Sequence, residues 1–232
     1  MTGSRAELPA RIVPIGDSAV LAILAEDPDP LATAWAHALA AAIDAERPDR
    51  PGLGRAVPAH ASVLVPFDPL AMTATAVAEL VGDRLRTAAR SAEPLESVEV
   101  PIEIGVRYGG IDGPDLEGVA AIAGLSPAQV VELHAGAAFR VLFLGFAPGF
   151  AYLGGLPAAL TTPRRATPRE RVPAGSVAIA GEHSAVYPLA MPGGWNLIGR
   201  TDATLFDPLA DPPARFRPGA RVRFVPLPSD RA

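Results

Sequence analysis

The sequence predicts an α+β chain: a small N-terminal α/β domain over residues 1–92, followed by a C-terminal β-barrel domain over 93–232. Three observations predict it. Composition shifts near residue 91, with 9 prolines and 5 glycines up to residue 90 against 17 and 17 after it. The first part is Ala-rich with helix-like spacing, whereas the second reads as short strands bounded by Gly, Pro or Asp. Of the 13 aromatic residues, 10 lie between Phe139 and Phe224, so the larger core belongs to the second part. The boundary is placed near Ser91–Ser97.

In the first domain, "RIVPIGD" and "SAVLAIL" read as two strands joined by a turn at Gly16-Asp17. "DPDPLATAWAHALAAAIDAE" reads as a helix, with Asp29 as its cap and Pro30 at its first position. "GRAVPAHASVLVPF" supplies two more strands. "DPLAMTATAVAELVGDRLRTAAR" is a second helix, with Asp68 as N-cap and Pro69 at N1. The order β-β-α-β-β-α suits a small sheet covered by helices.

The second domain opens with the strand "SVEVPIEIGV". "GPDLEGVAAIAG" is a short helix, with Pro114 near its start and Gly124 as its stop. "SPAQVVELH" is another, in which Ser126 and Gln129 form a capping box and Pro127 stands at N1. "FRVLFLGF" is an apolar strand. "SVAIA", "AVYPLA", "WNLIGRT", "ATLFD" and "RVRFVPL" follow as strands, and so many at close spacing argue for a closed or nearly closed barrel.

Composition excludes several chemistries. There is no cysteine, which removes disulfides, thiolate metal sites and thiol nucleophiles. All 20 basic residues are arginine, so there is neither a P-loop lysine nor a Schiff-base lysine. The net charge of −5 argues against a nucleic-acid partner. No run of about 18 apolar residues predicts a membrane span. The first residues, "MTGSRAELPARIVP", lack a basic-then-apolar leader pattern, so a cytoplasmic location is expected. The four histidines have no ligand spacing, and no metal site is expected. Gly-x-Ser-x-Gly, HExxH and GxGxxG patterns are absent from the chain.

Several stretches can carry chemistry. "GFAPGFAYLGGL" (145–156) mixes turn residues with aromatics, as either a tight core turn or a binding-site wall. "TPRRATPRERVPAG" holds Arg164, Arg165, Arg169 and Arg171. Its spacing favours a solvated loop, while guanidinium forks also suit carboxylate or phosphate. "MPGGWNLIGRT" places Gly193 and Gly194 before Trp195, as a hairpin turn or a close backbone approach to a ligand. Asp115 falls in the first turn of a helix, where its simplest role is to meet the helix N-terminus. His134, at a helix end, suits the helix dipole when charged. His183 is equally placed for a surface turn or a pocket.

These stretches together resemble the PxpB/KipI family, the B-subunits of bacterial 5-oxoprolinase, also called allophanate hydrolase subunit 1. The resemblance rests on "YGGIDGPDLEGVA", "LHAGAAFRVLFLGFAPGFAYLGGL", "TPRRATPRERVPAGSVAIAG", "YPLAMPGGWNLIGRT" and "FRPGARVRF", and it extends to "PIGDSAVLAIL" and "VPAHASVLVPFDP". It covers residues 11–227. It implies that the second domain is a cyclophilin-like β-barrel. It implies an amidohydrolase subunit that acts with a KipA/PxpC-like partner and a third subunit, opening 5-oxoproline to glutamate at the expense of ATP. ATP and its Mg would be present in the complex, the nucleotide on this chain or on a partner. The same family implies two other roles, inhibition of a sensor histidine kinase and a carboxyltransferase-like activity on a urea-type substrate.

The family motif falls on Phe146, Pro148, Gly149, Phe150, Tyr152, Arg164, Pro168, Arg169, Pro173, Gly175 and Ser176. It continues at Tyr187, Pro192, Gly193, Gly194, Trp195, Gly199, Arg200 and Thr201, and it includes Asp115 and His134. Arg169, His183 and Asp115 are the candidate catalytic residues, Arg169 and Asp115 on this resemblance and His183 on its own position. The candidate pocket is formed by Phe146, Pro148, Phe150, Tyr152, Arg164, Ser176, Tyr187, Gly193, Gly194, Trp195, Arg200 and Thr201. Arg164, Arg169 and Arg200 would neutralise carboxylate or phosphate charge. The sequence departs from the family at His183-Ser184-Ala185, where relatives commonly carry Gln-Thr-Gly, and at His60, where they usually carry tyrosine.

Overall fold

The computed structural model describes residues 11–26, 30–91 and 100–228. The chain falls into two compact units, Met1–Glu96 and Ser97–Ala232. The expected boundary at 92/93 and the expected helix cap at Asp29 lie outside the described residues.

In the first unit, β1 (Arg11–Ile15), β2 (Ala19–Ile23), β3 (Val57–Pro58) and β4 (Ser62–Pro66) form an antiparallel sheet in the order β1-β2-β4-β3. Alternation sets its buried face: Val20 and Ala22 on β2 and Val63 and Val65 on β4 are all fully buried. Helices α1 (Pro30–Glu46) and α2 (Ala74–Ser91) cover that face with Leu39, Ile43, Val77 and Val81. The second helix starts later than the sequence predicts, at Ala74. Asp68 heads a turn instead, its carboxylate accepting from the Leu70 N–H (2.9 Å) while its carbonyl accepts from Ala71 and Met72. Thr73 caps the helix, its hydroxyl accepting from the Ala76 N–H at 3.2 Å.

In the second unit a closed barrel runs in the order β10-β7-β6-β13-β5-β12-β9. Its strands are β5 (Ile102–Tyr108), β6 (Phe139–Leu144), β7 (Ala151–Gly154), β9 (Ser176–Ala180), β10 (His183–Val186), β12 (Asn196–Arg200) and β13 (Arg221–Pro226). Only the β5–β13 pair is parallel. All seven strands send side chains into one core, among them Ile104, Val141, Leu153, Ile179, Val186, Ile198 and Phe224. A closed barrel leaves no exposed sheet edge. This fits the cyclophilin-like barrel that the resemblance implies, within a mixed α+β chain.

The segment "ATLFD" does not form a strand. Only Phe206 makes an isolated bridge, to Ala214. The neighbouring Pro208, Pro212, Pro213 and Pro218 lack the N–H donors that a ladder needs. Conversely, the arginine loop and the "MPGG" turn contain a two-stranded ribbon, β8 (Arg169–Val172) with β11 (Met191–Gly193).

Helices α3 (Leu116–Ala123) and α4 (Pro127–Gly136) join β5 to β6. Gly124 ends α3 in the left-handed conformation, at φ 68°. The capping box of α4 is present, with Gln129 N–H donating to Ser126 Oγ (3.3 Å) and Ser126 N–H donating to Gln129 Oε1 (2.8 Å). Ser126→Ala is expected to lower the urea midpoint by the equivalent of about 1 kcal/mol. Among the described residues no single helix is long and apolar enough to cross a membrane.

His134 does not carry the charge expected of a helix-end histidine. It is fully buried against Phe224, with ring centroids 4.6 Å apart. Ser184 Oγ donates to the Ala178 carbonyl (3.2 Å), so it accepts from His134 Nε2 at 2.9 Å. His134 Nδ1 then accepts the Tyr108 hydroxyl at 2.8 Å. Burial holds the imidazole down at about 3. The unfolded chain takes up this proton below about pH 6.5, whereas the folded chain refuses it. This contribution to stability is therefore complete above about pH 6.5 and is lost as pH falls toward about 3. Between about pH 6 and 4 the wild-type chain should lose about 1.4 kcal/mol per pH unit more than His134→Gln. Parallel urea-unfolding profiles for the two proteins would contradict this.

Candidate functional site

A second apolar cluster lies on the outer face of the barrel. Ala178 on β9 pairs with Ala185 on β10 and with Leu197 on β12, and the three share that face with Ala180. The small alanines leave room above the sheet for Phe150, Tyr187 and Trp195, which are buried there with Val172 of the β8–β11 ribbon. Alternation along the chain explains the arrangement. Ala151 and Leu153 enter the barrel core, so Phe150 and Tyr152 emerge on the outer side.

Phe150 is the hub of the cluster. Its ring meets Phe146 (5.4 Å), Tyr152 (5.1 Å), Tyr187 (5.4 Å) and Trp195 (5.8 Å), each edge to face. Phe143 stacks on Tyr152 at 4.3 Å. Gly149, at φ 78°, turns the chain into this cluster, and a side chain there would strike Phe206 at 2.7 Å. The Ala147–Pro148 bond is trans, and the cis bond among the described residues precedes Pro212. Phe146 holds a left-handed φ of 70° and is 63% exposed, so an aromatic ring stands at the rim in a strained backbone conformation.

These rings wall a cavity of about 330 Å³. Phe146, Phe150, Tyr152, Tyr187 and Trp195 form its apolar sides, Gly193, Gly194, Pro168 and Pro192 its tight backbone turns, and Arg164 and Arg165 its charged edge. Gly193 is required by close approach, since a Cβ there would lie 2.3 Å from the Tyr187 hydroxyl. Burial raises both the Tyr152 and Tyr187 phenols above their ordinary value, against the lowering effect of the Arg164 charge.

Asp115 does not meet the N-terminus of α3 as a cap. Its Oδ1 accepts from Arg165 (2.9 Å) and Arg169 (2.8 Å), and its Oδ2 accepts from the Leu197 N–H (2.7 Å). The Asp115 N–H donates in turn to the Leu197 carbonyl at 2.9 Å. The side chain thus ties the start of α3 to β12 and to the arginine segment. Burial tends to raise its pKa. The Arg169 hydrogen bond, the Leu197 N–H and the charges of Arg169 and Arg165 outweigh that and hold the carboxyl below the usual range. Arg169 keeps one further nitrogen, Nη1, buried and without a hydrogen-bond partner.

The structure brings together eight of the residues that the sequence places in the pocket: Phe146, Phe150, Tyr152, Arg164, Tyr187, Gly193, Gly194 and Trp195. Arg165, Pro168 and Pro192 complete the wall. Pro148, Ser176, Arg200 and Thr201 do not line it. Arg200 stands five residues from Trp195 along an extended segment, roughly 16 Å away at the rise of a strand. There its Nε donates to the Ala174 carbonyl at 3.1 Å, and the Thr201 hydroxyl accepts from the Ala203 N–H at 3.1 Å. Ser176 is buried at the start of β9. Of the three residues given catalytic roles, Asp115 and Arg169 pair with each other beside the cavity. His183 opens β10, with its ring 6.2 Å from Tyr152, and is not part of the wall. Arg165 as a partner of Asp115 escapes sequence reasoning, since the two lie 50 residues apart.

The cavity wall holds no lysine and no carboxylate. The phosphate-binding lysine is missing, and among the described residues no group of three or more His, Asp or Glu side chains could hold a metal ion. The wall consists of aromatics, glycines, prolines and arginines, which can bind and orient a small anionic ring but hold no acid–base pair.

The family model described as carboxyltransferase domain, subdomain C and D, matches residues 10–216. The 5-oxoprolinase B-subunit of Escherichia coli O157:H7 is 51% identical over 179 residues, 77% of this chain and 80% of that protein. The 5-oxoprolinase B-subunit of Bacillus subtilis (strain 168) is 41% identical over 225 residues, 93% of this chain and 92% of that protein. Among solved structures, TTHA0988 superposes with a TM-score of 0.74 at 38% identity over 91% of this chain, which spans 40% of TTHA0988. The order of the motifs, the barrel and these likenesses agree: the chain belongs to the carboxyltransferase subdomain C and D family, and within it to the PxpB/KipI proteins, the B-subunits of 5-oxoprolinase.

Proposed function

We propose that this chain is one subunit of an ATP-dependent 5-oxoprolinase, which opens the lactam of 5-oxo-L-proline to L-glutamate. The observation that carries this reading is the cavity. It offers aromatic walls to a small ring and an arginine edge to an acid, and its lining holds no general base. An unstrained amide needs activation before it is hydrolysed, so the missing groups must come from elsewhere. In this reading a KipA/PxpC-like partner and a third subunit supply them, together with the site for ATP and its Mg. The names of the E. coli and B. subtilis relatives support the same assignment.

The test is co-expression of the chain with its two partner subunits, followed by assay of the purified complex. The complex should hydrolyse ATP only when 5-oxoproline is present and should release glutamate, and the isolated chain should do neither. A complex that assembles but releases no glutamate overturns the proposal.

A further inference from the structure

Three arginines approach the cavity, and they are not equivalent. Arg165 and Arg169 share the single carboxylate of Asp115, through the same oxygen. Arg164 lines the cavity and pairs with no carboxylate among the described residues. Arg169 has used one nitrogen on Asp115 and keeps Nη1 buried without an acceptor. Tyr152 and Tyr187 line the same cavity. Phe146, Phe150 and Trp195 line it too and offer apolar faces and no charge.

We infer that this cavity holds a carboxylate subsite, in which Arg164 takes the acid group of a small cyclic amide while the aromatic wall holds its ring. The identity of the amide rests on the 5-oxoprolinase reading; the carboxylate subsite rests on the geometry. A carboxylate is planar and matches the donor fork of a guanidinium. Arg164 is then a specificity-determining residue. It discriminates acids from the same ring without an acid, because a site built for a charged group leaves its own donors unpaired when that group is missing. Arg200, at the far end of β12, takes no part.

Calorimetric titration of the full chain tests this with four probes: 5-oxoproline, cyclopentanecarboxylate, 2-pyrrolidinone and inorganic phosphate. The two carboxylates should bind within about tenfold of each other, and 2-pyrrolidinone, which lacks the acid, should bind at least about tenfold more weakly. Arg164→Gln should weaken both carboxylates by about 10- to 100-fold and leave 2-pyrrolidinone unchanged. Arg164 is exposed, and a matching melting temperature confirms that the variant is folded. Equal carboxylate affinity in the two proteins overturns the subsite, as does absence of carboxylate binding to the wild-type chain. Phosphate binding tighter than either carboxylate overturns the choice of ligand. The two proposals fail separately. If the complex turns over 5-oxoproline with the same KM after Arg164→Gln, the subsite falls and the function stands. If the complex releases no glutamate while the chain still binds carboxylates through Arg164, the function falls and the subsite stands.

Discussion

Phe150→Ala is expected to lower the unfolding free energy by about 3–5 kcal/mol, the range for truncating a fully buried phenylalanine. Phe150 is 1% exposed and touches four other aromatic rings at 5.1–5.8 Å. Each edge-to-face pair adds about 0.5–1.5 kcal/mol beyond area burial. The cluster rests on the outer face of a closed barrel whose strands are fixed by their own pairing, so the sheet cannot collapse into the void. Phe150→Leu conserves most of the volume and should cost clearly less, about 1.5 kcal/mol. Equilibrium urea unfolding measures both. A loss below about 1 kcal/mol for Phe150→Ala would show that the cluster does not depend on this ring.

The second large effect is expected at Asp115. Asp115→Ala leaves Arg165 and Arg169 without their shared carboxylate and leaves the Leu197 N–H without its acceptor. The lost side chain is 10% exposed and that of Arg169 is 24% exposed, so water compensates only partly. A stability loss of about 3 kcal/mol follows from one unpaired N–H and a partly buried, unpaired charge. The sign with pH can be worked out. The folded carboxyl titrates below its unfolded value, so its contribution is complete above about pH 4 and is lost as pH falls further. Asp115→Asn should therefore be less stable than the wild-type chain at neutral pH and should show a shallower loss below about pH 4. If the two acid limbs superimpose, the carboxylate is not held by the arginines.

Legibility follows the range of the interactions. Elements fixed by local chemistry are readable: the Ser126–Gln129 capping box, the Gly124 stop and the alternating strand "SVAIA", which is β9 to the residue. Asp68-Pro69 mimics a helix start because the same residues also make a turn, and Thr73 is the nearer cap. "ATLFD" has the composition of a strand, while the prolines after it prevent pairing. For the site, the aromatic run and the glycine pair are recognisable through the family resemblance. Their common destination above three alanines of the barrel is a product of register. Arg200 and Thr201 share a motif with Trp195, yet a strand carries them to its opposite end. The division of labour among Arg164, Arg165 and Arg169 depends on a carboxylate about 50 residues earlier, which no spacing rule reveals.

If 5-oxoproline is held for reaction in the aromatic and arginine cavity of this chain, distorting that cavity must stop turnover. The measurement is glutamate release from 5-oxoproline and ATP by complexes assembled with the wild-type chain and with Gly193→Ala. The added Cβ would meet the Tyr187 hydroxyl at 2.3 Å, forcing the ring to shift within the cavity. Release by the wild-type complex and a drop of about 100-fold with Gly193→Ala are expected, as when bound groups are misplaced by about 1 Å. Equal release by both complexes would contradict a reaction site in this cavity.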